Sequence, residues 1–453
     1  MFHQLCLLVL TAAITSLLFF TALWTSQSQA LQNFHFSALI PGSLKSGNGD
    51  ELFNGRHFLF GAPVAATRPN STVAPPNVTL VLATMDYTDN KWIHDELGDV
   101  LRPHGDLGTA IYVVNDNTAP LHTPANKGHE AMAYLTYMID FYDSLPDISI
   151  FMHGHKTAWH NNDLLDMSSS AMVRYLRREK VQRDGYMNLR CHWNPGCPDH
   201  LHPFATEYDE EKSEELLIKD AWMQVFGVEE SQVPETLAQP CCSQFAVTKE
   251  RIRDLPKAKY EHFRDWLLAS QLTDYVTGRI FEYFWQYMLN NTPLLCPDPR
   301  VCYCEGYGVC FENPGEYDMW LDLRADLTMY EQQLYSWNQW QHDKTVERRD
   351  SLEVEEVANL DEEKLESLAS ITDETGPNRR NGGGGGGEEK LDRGRELVIK
   401  ISEIREELER RIQAALKLGA DPSRRQAAIE AAKKHDLPLV PRDGTAYPKK
   451  KHR

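Results

Sequence analysis

The sequence predicts an α/β fold: a mostly parallel sheet with helices on both faces. Two observations predict it. Val78–Thr84, Thr109–Val114 and Asp147–Met152 are short apolar, β-branched runs, the pattern that strands buried on both sides leave. Between the second and third runs, Ala131, Tyr134, Leu135, Met138, Ile139 and Tyr142 recur at helical spacing and make one apolar face. Strand, helix, strand, helix, strand is the order in which a chain builds a Rossmann-like parallel sheet, since each crossover carries it back to the same edge.

The remaining elements follow in order. A weaker helix fits between the first two strands, around Trp92–Leu101. After the third strand comes a polar loop, then a helix starting near Ser168, whose hydroxyl can cap the free amide of Ala171 or its neighbour. Gly185–Leu189 reads as a further short strand. Phe263–Leu289 is aromatic-rich and mostly helical in pattern, which marks core more readily than a cofactor box.

Six regions are expected. Leu5–Trp24 carries no charge, and at ~1.5 Å per residue it spans about 30 Å, the thickness of a bilayer core. Residues 1–24 therefore read as a signal anchor, or as a signal peptide to about residue 30, where Ser28 and Ala30 supply small cleavage residues. Residues 25–76 form a stem and 77–345 a lumenal α/β domain. An acidic and Gly-rich linker, 346–396, contains the run Gly382–Gly387, which favours no regular structure. In 397–434, Leu397, Ile401, Ile404, Leu408, Ile412 and Ala415 follow a four-and-three spacing. That spacing predicts an amphipathic helix, either a coiled-coil strand for self-association or a solvated single helix. A disordered and helical C-terminal extension thus closes the chain, ending in a basic tail, 435–453. Its last four residues have dilysine spacing, but a signal anchor would put them in the lumen, where that retrieval signal does not operate.

Sequons stand at Asn70, Asn77 and Asn290. Of nine cysteines, eight lie beyond the apolar segment. Cys191, Cys197, Cys296, Cys302, Cys304 and Cys310 read as disulfide partners rather than zinc ligands in a lumenal protein, with a local Cys191–Cys197 bridge across a Pro-Gly turn. Cys241 and Cys242 are adjacent and are expected to pair elsewhere or stay free. These features predict a glycoprotein of the endoplasmic reticulum or Golgi, single-pass type II and held to the membrane by its N-terminal helix; secretion is the alternative. A formal net charge of −19 argues against nucleic acid as a partner, because phosphate binding needs a locally basic surface.

The densest constellation of chemical groups follows the third strand: His153, Gly154, His155, then His160 and Asp163. Residues two apart in a strand share a face, so His153 and His155 can present two imidazoles side by side. With His160 and Asp163 they could complete a nitrogen-and-oxygen set for a divalent metal. Histidines in polar loops also commonly serve only as hydrogen-bond partners of nearby backbone. Asn115-Asp116-Asn117 ends the second strand, where an acidic group can hold a metal on a nucleotide diphosphate. Its alternative is a turn in which Asp116 bonds its own backbone. Asp86 and Asp89, past the first strand, are in the same situation. No nucleophile elbow, Walker loop or HExxH sequence is present.

From LVLATMDYTDNKWIHDEL through KGHEAMAYLTYMIDFYDSLPDISIFMHGH to GYMNLRC, WNPGCP and CCSQFAVTKERI, the chain resembles the fungal family called domain of unknown function 3431, over about residues 78–310. That resemblance brings no activity with it. A second, weaker one is to the nucleotide-sugar glycosyltransferases of the A fold, in which a small-residue turn and a Phe-Ala-Val-type strand precede an acceptor-side helix. It implies a sugar transferred from a nucleotide donor to a glycan or protein. Asp116 and Asp86 would lie on the cofactor side and a Mn²⁺ or Zn²⁺ would be held by Asp116, His153 and His155. The loop His153 to Asp163 would line the acceptor. The departure is that Asn115-Asp116-Asn117 is at best a degenerate Asp-x-Asp motif. The rival readings are a metal-dependent hydrolase centred on the same histidines and a non-catalytic lumenal binding domain.

Overall fold

The computed structural model describes residues 77–357 and 387–433. The apolar segment Leu5–Trp24, the stem, Asn70, the glycines 382–386 and the basic tail lie outside those residues. Among the described residues no helix is long and apolar enough to cross a membrane.

Five strands form one sheet: β1 (Val78–Thr84), β2 (Leu107–Val113), β3 (Ile148–His153), β4 (Tyr186–Asn188) and β5 (Phe245–Thr248), in the order β2-β1-β3-β5-β4. The three runs read from the sequence are β1, β2 and β3. They pair in parallel, with Val78 opposite both Leu107 and Ile148. The sheet as a whole is mixed, however, because β5 runs antiparallel to both β3 and β4. Its four residues FAVT are buried throughout, and so short an apolar run carries no sign of its direction. A mixed α/β sheet replaces the mostly parallel one expected.

Chain order explains how the faces are covered. From β1 the crossover passes through α1 (Lys91–Leu97) to β2 on one side. The next crossover, through α2 (Glu130–Asp140), skips β1 and delivers β3 on the other side. Right-handed crossovers in opposite directions put their helices on opposite faces. Accordingly α1 packs with α3 (Ser169–Tyr175), while α2 packs with α7 (Lys257–Ala269) and α8 (Asp274–Glu282). Ser168 Oγ accepts from the Ala171 amide at 3.2 Å, so α3 starts where its capping residue indicates.

On the α2 face, Tyr134 meets Phe151, Phe245 and Trp285 at ring-centroid distances of 4.9, 5.9 and 5.9 Å. Trp285 belongs to α9 (Trp285–Asn290), and Trp222 of α5 (Glu215–Phe226) joins the same core through Phe284. The aromatic stretch 263–289 is thus core, as its pattern implies. Two short helices, α4 (Arg178–Asp184) and α6 (Lys249–Arg253), flank β4 and β5.

Four disulfides are formed: Cys191–Cys302, Cys197–Cys296, Cys304–Cys310 and Cys241–Cys242. All six cysteines read as disulfide partners are bonded, but the expected local Cys191–Cys197 closure is not made. Both residues instead reach a segment about a hundred positions away that includes α10 (Pro299–Tyr307). Side chains already join the two segments. Trp193 Nε1 donates to the Pro297 carbonyl at 2.6 Å, and Tyr307 O–H donates to that of Leu189 at 2.6 Å. Cys241 and Cys242, expected to pair elsewhere or stay free, bond each other.

The C-terminal third also differs from expectation. Helix α11 (Pro314–Val357) runs straight across the 345/346 boundary, and α12 (Gly387–Ala420) begins at the last glycine of the run. Leu397, Ile401, Leu408, Ile412 and Ala415 are buried, and α12 packs along α11. The apolar stripe therefore finds its partner within the chain. Helix α13 (Pro422–Lys433) packs on α10, where Leu418, Ala428 and Ile429 cover Cys304 and Cys310. The approach is close: a Cβ on Gly419 would lie 1.9 Å from the Gly308 carbonyl oxygen.

Two outcomes follow. Replacing Cys191 and Cys302 by serine should lower unfolding free energy by about 2–5 kcal/mol, since their bridge spans 111 positions and long closed loops gain most from cross-linking. Ile412, 1 % exposed, should cost about 2–5 kcal/mol as Ile412→Ala. Chemical denaturation measures both. An unchanged midpoint for the second would mean that α12 does not dock.

Candidate functional site

Strands β1 to β4 run in one direction and end at one edge of the sheet, where β5 begins. Because the chain leaves β1 for opposite neighbours, the crevice between the loops after β1 and β3 is the topological switch point, where open α/β sheets bind ligands. The floor is narrow. Trp92 Nε1 donates to the Gly154 carbonyl at 3.0 Å, and a Cβ on Gly154 would come within 2.5 Å of Thr84 Cγ2. Only glycine fits there.

On the side of β1 and β2, Asn115 ties the two loops together. Its Oδ1 accepts from the Asp86 amide at 2.9 Å, and its Nδ2 donates to Asp86 Oδ1 at 2.7 Å. Asp116 is half-buried, and its Oδ1 accepts from the amide and hydroxyl of Thr118 at 2.8 and 2.6 Å. These bonds hold its carboxyl below the usual carboxylate range. Asp89 accepts from the Lys91 amide at the start of α1.

On the side of β3, a buried amide network positions the histidine loop. Gln244, just before β5, accepts from the His153 amide at 3.3 Å and donates through Nε2 to Asn161 Oδ1 at 2.8 Å. Asn161 Nδ2 donates to the Met167 carbonyl at 2.9 Å and to Ser169 Oγ at 3.0 Å. Asn162 accepts from the Cys191 amide and donates to the Leu189 carbonyl, pinning the loop to the chain beyond β4. The guanidinium of Arg190 lies 5.4 Å from the exposed Trp159 ring.

This network brings His153 and His160 together, with ring centroids 4.4 Å apart. His153 Nε2 donates to the Cys242 carbonyl at 2.8 Å, which puts its proton on that nitrogen. Burial, then the charges of His153 and Arg190, push His160 down to about 2. It stays neutral at any working pH, and its buried Nε2 has no hydrogen-bond partner. His155 is exposed at the mouth; desolvation and then His153 lower it as well. Asp163 is turned to a different group. Its amide donates to Nε2 of buried His192 at 3.1 Å, and its carboxylate lies 3.5 Å from the same atom. Of the sequons, Asn77 is exposed and Asn290 half-buried.

The residues that sequence reasoning passed over stand opposite His153. The Cys242 amide donates to Glu282 Oε1 at 2.9 Å, so one peptide unit links that carboxylate to His153. Glu282 ends α8, and burial among packed neighbours pushes its carboxyl up to about 7. Sγ of Cys241, Sγ of Cys242 and the carboxylate of Glu282 all lie within 4.8 Å of one another. Among the described residues this is the group whose ligand atoms converge; Asp116, His153 and His155 do not converge in that way. The adjacent cysteines were a visible signal. Glu282, one acidic residue among 66, carried none.

A family model described as a protein of unknown function, DUF3431, matches residues 80–305, about half of the chain. The chain belongs to this family. The DUF3431 region runs from β1 into α10, so the crevice, the amide network, Cys241, Cys242 and Glu282 all fall within it. Helices α11 to α13 fall outside it. No curated protein and no solved structure matches the chain.

In this DUF3431 domain the raised carboxyl of Glu282 has a stability consequence. Between its ordinary value of 4.5 and about 7 the folded chain holds a proton that the unfolded chain has released. Stability must therefore fall as pH rises through that window. Glu282→Gln removes the effect, so the variant should gain on the parent from pH 4.5 to 7 and hold a constant difference above. Denaturant midpoints at pH 5 and pH 8 measure this, and His160, present in both proteins, cancels. An equal difference at the two pH values would contradict the raised carboxyl.

Proposed function

We propose that the chain is a secretory-pathway transferase that moves a sugar from a nucleotide donor to a glycan or protein. Its fold would be the Rossmann-like, glycosyltransferase A-like variety of α/β sheet. Its disulfides fit a secretory or lumenal location. The finer reading is a single-pass type II membrane protein of the endoplasmic reticulum or Golgi, anchored by Leu5–Trp24 and glycosylated at Asn70, Asn77 and Asn290.

The observation that carries the reading is the switch-point crevice with unlike chemistry on its two sides. The carboxylates of exposed Asp86 and half-buried Asp116 lie on loops joined by Asn115, and hard oxygen ligands suit a Mn²⁺ that neutralises a diphosphate. Across the crevice stand the neutral imidazole of His160 and Glu282, whose carboxyl near 7 suits a base for an acceptor hydroxyl. The buried strand Phe-Ala-Val-Thr, preceded by the Cys241–Gln244 turn, adds the family-like sequence feature. The metal would supply charge neutralisation at the leaving diphosphate. His153, tied to the Cys242 carbonyl, would orient the acceptor. A metal-dependent hydrolase on the loop His153 to Asp163 draws less support, because the Asp163 carboxylate lies beside His192 and His153 Nε2 is engaged with a carbonyl.

The test is a thermal-shift screen of the purified full-length chain against nucleotide sugars with and without Mn²⁺, because a ligand that binds only the native state raises its Tm. A Mn²⁺-dependent shift with one nucleotide class, abolished in Asp116→Asn, is the expected result. If no nucleotide sugar shifts the parent protein, the transferase reading fails and the non-catalytic binding domain takes its place.

A further inference from the structure

We propose that Cys241, Cys242 and Glu282 form a redox-gated site for a thiophilic divalent cation, closed while the two sulfurs are bonded and opened by a dithiol reductant. The three ligand atoms already lie within 4.8 Å of one another. A tetrahedral shell with metal–sulfur bonds of about 2.3 Å separates its ligands by roughly 3.8 Å. Breaking the sulfur–sulfur bond therefore needs only local side-chain rotation to reach that spacing. Water or a small ligand would complete the shell.

The turn is built to survive the change. Cys242 and Ser243 have φ of +87° and +49°, two consecutive non-glycine residues in the left-handed region. Such a conformation persists only where its surroundings impose it. Two hydrogen bonds do so independently of the disulfide: the Cys242 amide donates to Glu282, and its carbonyl accepts from His153. The carboxylate thus stays beside the sulfurs after reduction. Ser243 is 1 % exposed and its Oγ has no hydrogen-bond partner, a buried polar atom left unpaired at this turn.

The bridge also lacks the purpose of the two long-range ones. Cys191–Cys302 and Cys197–Cys296 close loops of 111 and 99 positions, whereas Cys241 and Cys242 are neighbours and their bond closes no loop. Chain-entropy stabilisation, which grows with loop length, is absent there. Cys241 is 1 % exposed, while Cys242 is partly exposed. A reductant thiolate would therefore attack Cys242 Sγ, forming a mixed disulfide and sending the bonding pair to Cys241 Sγ. The second thiol of the same dithiol then displaces Cys242, and the reductant leaves as its own cyclic disulfide. Two electrons and two protons reach the cysteine pair, and cation binding releases those two protons to solvent.

The site can be tested without substrate, so its failure and that of the transferase reading are separate results. The full-length chain is reduced with a soluble dithiol, desalted without oxygen and titrated with Zn²⁺ alone. Bound metal per chain is measured, and alkylation at each cysteine is mapped by mass spectrometry. The reduced chain should bind one more Zn²⁺ than the oxidised chain, and Zn²⁺ should protect Cys241 and Cys242 from alkylation. Glu282→Gln should weaken binding by at least about tenfold, the scale of effects seen when a metal's surroundings are altered. Should variants fail to fold, the oxidised, reduced and reoxidised parent protein decides the matter. Equal binding in both redox states would place the cation on the histidines and overturn the assignment. So would binding that requires the other six cysteines to be reduced, or an unchanged affinity in Glu282→Gln.

Discussion

The antiparallel pairing of β5 between β3 and β4 is the constraint on which the rest of the site depends. With Phe245 opposite Phe151 and Asn188, the chain must reach β5 from the carboxyl edge of the parallel strands. The turn Cys241–Gln244 is thereby delivered beside His153 rather than to the far end of the sheet. Gln244 then holds both the His153 amide and Asn161, so one short strand fixes the histidine loop and the cysteine turn together. A parallel β5 would have needed another crossover and would have carried that turn to the opposite edge.

Electrostatics at this edge divide along the same line. Towards β1 and β2 Asp86 is exposed and Asp116 half-buried, and hydrogen bonds from Thr118 favour the ionised form of Asp116. Towards β3 and β5 burial disfavours charge of either sign, lowering His160 and raising Glu282. One crevice therefore offers a fixed negative side and a side whose groups are neutral or close to changing protonation. The second kind is what proton transfer and metal exchange use, and it exists only because the core of β3, β5 and α8 excludes water from one flank.

Outside the site, long-range ties replace the local ones. The bridges from Cys191 and Cys197 fasten the chain after β4 to the region of α10, and α13 then covers α10 from the other side. Helices α11 and α12 bury each other's apolar residues, so the charge-rich C-terminal sequence has a packed face as well as a solvated one.

By itself the sequence determined β1, β2 and β3, helix α2, the Ser168 cap and the aromatic core. Each is encoded by a run or periodicity within a dozen or so residues, where burial leaves its mark directly. The crevice was legible to the same extent: Asp86 and Asp116 follow strands and His153 ends one, and strand ends in such sheets gather at one edge. Only the tertiary structure decided the direction of β5, the partners of Cys191 and Cys197, and which side chains meet. Asp163 could have joined the histidines of its own loop, but its amide donates to His192 and its carboxylate lies beside that ring instead. Glu282 ends a helix more than a hundred residues beyond His153, yet one peptide unit of Cys242 joins them. Contacts between residues so far apart in the chain leave no periodic trace, because they are chosen by the packing of whole elements and not by the preference of any one segment.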